Sequence, residues 1–159
     1  MLDVGTGTGA IALAIADEHP GARVTGIDIS PQALALAREN VELTGLAVEL
    51  AEWDLFAGLP PGPWDLVVSN APYIARADGE TLAPEVRDWD PHVALFGDDA
   101  VAAVAGGAAT VLADAGALVL EVGDGQEAAV AGLLAELGFR DVRITPDLAG
   151  RERVVEGRR

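Results

Sequence analysis

Two short stretches of this chain hold the residue types that chemistry needs. Asp3-Val4-Gly5-Thr6-Gly7-Thr8-Gly9 is a glycine loop of the form G-x-G-x-G. Glycines strip side chains from the turn, so a nucleotide-like ligand can lie against bare backbone. The helix that follows offers N–H groups at its N-terminus. Ser69-Asn70-Ala71-Pro72-Tyr73 contains an Asn-x-Pro-Tyr turn. The Asn70 side-chain oxygen and the Ala71 carbonyl can each accept one hydrogen of a planar NH2 group, with Tyr73 against its flat face. A carboxamide nitrogen is a poor nucleophile, because its lone pair is delocalised into the carbonyl. In-line positioning helps it, and so do hydrogen bonds that tighten as the nitrogen gains positive charge. No strong base is needed beforehand, since the product proton is acidic. Together the two motifs point to methyl transfer from S-adenosylmethionine to an amide or amino nitrogen.

Two carboxylates lie between the motifs. Asp28 follows Gly9 by 19 positions, at the end of an expected strand. A carboxylate there can accept both ribose hydroxyls; the alternative is a loop aspartate ahead of the Ser30 cap. Asp54, in Trp53-Asp54-Leu55-Phe56, can accept from an adenine amino group. Leu55 or Phe56 then covers the ring, or simply packs. The glycine loop alone also admits a dinucleotide, because Ala10 stands where G-x-G-x-x-G/A allows alanine. His19 suits a helix C-terminus, and His92 lies in a long loop without partners. Glu85 and Trp89 are candidates for substrate contact only through that loop. No metal-ligand spacing is present. With no cysteine there is no thiolate site and no disulfide.

The elements that must position these residues alternate. Residues 1–4 form the stub of a strand, 9–19 a helix with apolar Ile11, Leu13, Ala14 and Ile15, and 23–28 a second strand. Ser30-Pro31 opens a helix, with serine as N-cap and proline at the first position; it runs to Thr44 and stops at Gly45. Strands follow at 46–53 and 64–69. Residues 74–97 have no clear period and read as a long loop over the site. A helix at 99–113, a strand at 117–122, a helix at 126–137 and strands at 139–145 and 151–156 complete the chain. This alternation predicts a mostly parallel α/β sheet with helices on both faces. No helix separates the last two strands, so the seventh is expected to run antiparallel to the sixth. Only Met1 and Leu2 precede Asp3, whereas a strand usually needs about five or six residues. The first strand is therefore expected to be truncated.

At 159 residues the chain is the size of one domain. Half of it is apolar and only 4% aromatic, so the core must come from Ala, Val, Leu and Ile. Twenty-six acidic residues face ten arginines and no lysine, for a net charge of −16. That surface repels phosphate backbones and disfavours direct nucleic-acid binding. Neither a membrane-length apolar run nor a signal peptide is present, so a cytoplasmic location is the default.

The chain closely resembles the release-factor glutamine methyltransferases, the HemK/PrmC family, over nearly its whole length. The similarity is carried by DVGTGTGAIALAIA at 3–16, VTGIDISPQALALARENV at 24–41, WDLFAGL at 53–59 and WDLVVSNAPYI at 64–74. EVRDWDPHVALFG at 85–97, LEVGDGQ at 120–126 and GFRDVRITPDLAGRERVV at 138–155 extend it. The tail is the more telling part, because many methyltransferases share the loop. The resemblance implies a class I, Rossmann-like S-adenosylmethionine-dependent methyltransferase fold of seven strands, with the last antiparallel, over residues 1–159. It implies methylation of the glutamine side-chain amide in the Gly-Gly-Gln loop of peptide-chain release factors, a step in translation termination. By carry-over, Gly5, Thr6, Gly7, Thr8, Gly9, Asp28, Asp54, Leu55 and Asn70 bind S-adenosylmethionine. Asn70, Ala71, Pro72 and Tyr73 hold the amide. Ala71 replaces the first proline of the family's Asn-Pro-Pro-Tyr; the backbone carbonyl survives, so weakened rather than abolished catalysis is expected. The family's N-terminal helical domain and cofactor-closing segment have no counterpart in these residues. Two other readings stand beside this one. Adenine amino-methyltransferases use a similar turn on a flipped base, and a cofactor-binding fragment without catalysis fits the short first strand.

Overall fold

The computed structural model describes residues 1–70 and 100–159. The elements are β1 (Leu2–Val4), α1 (Ala10–Glu18), β2 (Val24–Asp28), α2 (Pro31–Thr44), β3 (Val48–Glu52) and a 3-10 turn (Leu55–Ala57). After β4 (Trp64–Ser69) come α3 (Ala100–Val111), β5 (Leu112–Glu121), α4 (Glu127–Glu136), β6 (Arg140–Pro146) and β7 (Glu152–Arg158). They build one seven-stranded sheet in the order β3-β2-β1-β4-β5-β7-β6. The pairs β1/β2, β1/β4, β2/β3 and β4/β5 are parallel. β7 is antiparallel to both neighbours, β5 and β6, as expected for β6; its insertion beside β5 is the added finding.

Local chemistry explains the boundaries that match expectation. The Ser30 hydroxyl accepts the Ala33 N–H at 3.2 Å, Pro31 sits at the first helical position, and Gly45 closes α2 at φ 69°. α1 has no side-chain cap of its own at Gly9. Its first turn is capped instead from the strand before it, where Asp3 Oδ2 accepts the Ala12 N–H at 3.2 Å.

β5 departs from expectation. α3 passes directly into β5 at Leu112, which pairs with Trp64, and the ladder resumes only at Leu66 and Ala117. The residues between are absorbed by a bulge with Ala115 at φ 62°. β3 is shorter than its apolar pattern suggested, and the 3-10 turn after it is capped by the Asp54 carboxylate, which accepts the Phe56 N–H at 2.9 Å.

The core is aliphatic, as the composition requires. Leu2, Val4, Val67, Leu118, Leu120 and Val155 from the sheet meet Val104, Ala105 and Ala108 of α3 and Val130 and Leu134 of α4. Phe139 is the one aromatic residue in the buried core among the described residues. Small residues let α3 lie close to its neighbours. A Cβ on Gly107 would stand 2.7 Å from Leu59 Cγ. No helix among the described residues is long and apolar enough to cross a membrane.

Candidate functional site

Strand register gathers those predicted residues that are described at one edge of the sheet. Val4 pairs with Ile27 on one side and with Ser69 on the other, and Asp28 pairs with Glu52. The residues that follow these strands leave together from the carboxyl edge: the glycine loop from β1, Asp28 from the end of β2, Asp54 after β3 and Asn70 after β4. In open α/β sheets this edge, at the reversal of strand order, is where ligands bind. The Ser69 hydroxyl is buried and donates to the Val4 carbonyl at 2.7 Å, which ties the start of the Asn70 turn to the root of the loop.

Gly5, Gly7 and Gly9 all have positive φ, at 69°, 57° and 81°. A Cβ added at Gly5 or Gly7 would meet nothing within 4 Å, so both border open space that a ligand could fill. Gly9 turns toward the interior, where its Cβ would lie 3.5 Å from Ala37 of α2. The two threonines also part company. Thr8 is exposed. Thr6 is buried and donates its hydroxyl to Asp3 Oδ2 at 2.6 Å. Gly26, the register partner of Asp3, makes that possible: a Cβ there would stand 2.7 Å from Thr6 Oγ1.

Asp28 braces the loop from the other side. Its Oδ2 accepts the Gly7 N–H and its Oδ1 the Ser30 N–H, each at 2.9 Å. Each oxygen keeps a further lone pair, enough for a diol. Asn40 of α2 supplies another brace by donating to the Thr8 carbonyl at 2.9 Å. Asp54 is exposed beyond its capping bond. Trp53 N–H donates to the Asp28 carbonyl at 2.9 Å and holds the ends of β2 and β3 together. Leu55 packs against the edge of the core, whereas Phe56 is 63% exposed. Ile29 is half exposed beside Asp28.

Asp3, Asn40 and Gly26 support the loop in ways that the motif reading missed. For Gly26 a signal existed, because a glycine inside a strand marks a close approach of another group. Burial raises the Asp3 carboxyl above its ordinary 3.8, and neighbouring Asp28 adds to the rise; the Thr6 and Ala12 hydrogen bonds oppose it. Asn70 is exposed at the edge. Ala71, Pro72, Tyr73, the 74–97 loop and Glu85, Trp89 and His92 within it lie outside the described residues. No group of three or more His, Cys, Asp or Glu among the described residues could hold a metal ion.

The open space at Gly5 and Gly7 fits a ligand that lies on backbone. Comparison with known proteins agrees with this geometry. Residues 1–85 match the family model described as the methyltransferase small domain. The chain is 47% identical over 164 residues to the release factor glutamine methyltransferase of Cereibacter sphaeroides, covering 99% of this chain and 59% of that protein. It is 47% identical over 163 residues to that of Deinococcus radiodurans, covering 100% and 58%. The chain thus spans about three fifths of the length of these curated relatives. Among solved structures, a methyltransferase from Pyrococcus furiosus superimposes with a TM-score of 0.72 at 18% identity, covering 99% of this chain and 73% of that one. The S-adenosylmethionine-dependent methyltransferase SibL in its apo form gives 0.71 at 23% identity, covering 99% and 49%. At such identities the likeness shows the fold alone.

Proposed function

The chain belongs to the methyltransferase small domain family, and from that premise we propose that it transfers a methyl group from S-adenosylmethionine to the glutamine side-chain amide of a peptide-chain release factor. The observation that carries this reading is convergence: the glycine loop, Asp28 and Asn70 leave adjacent strands at one edge, in fixed register. The names of the relatives, which are identical to this chain at over two fifths of the aligned positions, support the substrate.

When bound, S-adenosylmethionine supplies an electrophilic methyl group on a sulfonium. The Gly5 and Gly7 backbone makes room for it, Asp28 accepts from the ribose hydroxyls, and Asp54 and Leu55 take the adenine end, with Phe56 and Ile29 beside them. Asn70 accepts one N–H of the glutamine amide through its side-chain oxygen. In this reading Ala71, Pro72 and Tyr73 complete the turn. Holding both amide hydrogens orients the nitrogen and stabilises the positive charge it gains, and positioning supplies much of the rate. Methylation of a flipped adenine is the weaker reading, because a net charge of −16 opposes a phosphate backbone. The reading takes residues 1–159 as one methyltransferase domain and puts the protein in the cytoplasm, where release factors act.

The test has two steps. Calorimetric titration with S-adenosylmethionine, with NAD as control, should give selective binding. A release factor bearing the Gly-Gly-Gln loop should then gain one methyl group, located by mass spectrometry on the glutamine. Methylation of single-stranded DNA in place of the protein would overturn the assignment, and so would donor binding with no transfer to glutamine by a longer protein that contains this domain.

A further inference from the structure

Leu148 is 110% exposed, more than any other large apolar residue among the described ones. A leucine alone on a surface is ordinary, but the turn that carries this one is tightly built. Asp147 holds four hydrogen bonds within five residues. Its N–H donates to the Arg151 carbonyl at 2.7 Å, and its carbonyl accepts the Gly150 N–H at 2.9 Å. Its Oδ1 accepts the Ala149 N–H at 2.8 Å and the Arg151 N–H at 2.9 Å. Gly150, at φ 80°, completes the turn. The backbone is thus fixed with the leucine left in solvent, where a polar side chain would serve the turn as well.

Register places this turn on the same edge of the sheet as Asn70. Ser69 pairs with Leu120, Glu121 with Val154, and Glu152 with Pro146. The Val122 N–H donates to the Arg153 carbonyl at 2.9 Å, and Arg153 Nη2 stands 3.5 Å from Asp124 Oδ1, so the root of the hairpin is fastened to the end of β5. Asn70 is therefore level with Glu121, and the β6–β7 turn stands beyond that level. Strand spacing and rise put Leu148 roughly 15 Å from Asn70. That is too far for a side chain held in the Asn70 turn to reach. A standard protein interface covers about 800 Å² on each partner, wide enough to include both points. On the basis of the glutamine methyl-transfer reading above, we propose that Leu148 is a docking residue for the protein substrate: it enters an apolar socket on the folded release factor while the glutamine occupies the Asn70 turn. A leucine offers nothing to a phosphate backbone, and a net charge of −16 opposes both nucleic acid and an anionic bilayer. A turn already fixed loses little conformational freedom when it docks.

Methyl transfer is measured against the concentration of a whole release factor for the wild-type protein, Leu148→Ser and Leu148→Met. Thermal unfolding checks each fold, and calorimetry gives each affinity for S-adenosylmethionine. Leu148→Ser should raise KM for the release factor by about tenfold, the order expected when one leucine loses its burial. Its kcat at saturating release factor and its donor affinity should stay within about twofold of wild type, because the side chain touches neither the donor nor the amide. Leu148→Met keeps an apolar side chain of similar volume and should keep KM. An unchanged KM in Leu148→Ser, with the wild type active, removes the docking role and leaves the glutamine reading standing. A fall in kcat or donor affinity with KM unchanged also refutes docking, because it makes Leu148 a support of the fold. Wild-type protein that binds the donor but methylates no release factor removes the glutamine reading and this inference with it.

Discussion

Replacing Asp28 with alanine separates the brace that the structure gives this side chain from the ribose contact proposed for it. In the free protein its two oxygens accept from Gly7 N–H and Ser30 N–H, each at 2.9 Å. Alanine leaves both donors without that partner. Hydrogen bonds to a charged acceptor are worth about 1.5–3 kcal/mol each when buried. Here the group is half-buried, so water replaces part of each, and about 1 kcal/mol per bond is reasonable. A loss of about 2 kcal/mol in a domain of this size lowers Tm by roughly 4–8 °C. The ribose contact is a separate quantity. If the remaining lone pairs accept the donor's hydroxyls, Asp28→Ala should also weaken S-adenosylmethionine binding by at least about tenfold, roughly 1.4 kcal/mol. Calorimetric titration gives the second number and thermal unfolding of the same sample without ligand gives the first. A lowered Tm with unchanged affinity would refute the ribose assignment and leave Asp28 as a loop brace alone.

Asn70→Ala should lower the methyl-transfer rate by about a hundredfold, an amount typical for one lost transition-state contact, with donor affinity nearly unchanged; turnover at the wild-type rate sinks its role. Gly26→Ala drives a Cβ to within 2.7 Å of Thr6 Oγ1 and 3.0 Å of Leu50 Cδ2. It should cost about 1–3 kcal/mol in urea unfolding and also weaken donor binding, because Thr6 must leave Asp3. Asp3 also predicts a pH effect. Its folded carboxyl stands above the ordinary 3.8, mainly through burial, so just above that pH the folded state holds a proton that the unfolded chain has lost. Its contribution to stability therefore falls as pH rises from 3.8 through the folded value. Urea unfolding of wild type against Asp3→Asn across that window should show this slope in the difference, and a flat or opposite difference contradicts it.

What could be read from the sequence was whatever is decided locally. The boundaries of α2 follow from Ser30, Pro31 and Gly45, whose effects reach only a few residues. Strand–helix alternation gave the parallel sheet for the same reason. The insertion of β7 between β5 and β6 depends on which edge a returning strand meets, and no residue in 152–158 encodes that alone. The α3–β5 junction was misplaced because no glycine or proline separates Val111 from Leu112. The bulge that absorbs the slack puts Ala115, a non-glycine, at positive φ. At the site, Thr6 and Thr8 look identical in the motif, yet one serves the interior and the other faces out. The difference is decided by Gly26 and Asp3, which are adjacent in space only because β1 and β2 pair.

The same pairing explains how the two halves of the site can act together. On the donor side, side chains from three separate elements brace the loop: Asp3 through Thr6 and Ala12, Asp28 through Gly7, and Asn40 through the Thr8 carbonyl. A loop held in this way has little conformational freedom left to lose when a ligand arrives, and that lowers the cost of binding. On the acceptor side, Asn70 follows Ser69, whose hydroxyl is bonded to the Val4 carbonyl one residue before Gly5. In the proposed reading, the two motifs are anchored on adjacent hydrogen-bonded strands, β1 and β4, which would fix the spacing of donor and acceptor. In-line transfer is sensitive to errors of about an ångström. Anchoring both motifs on adjacent strands of one sheet would keep that error small.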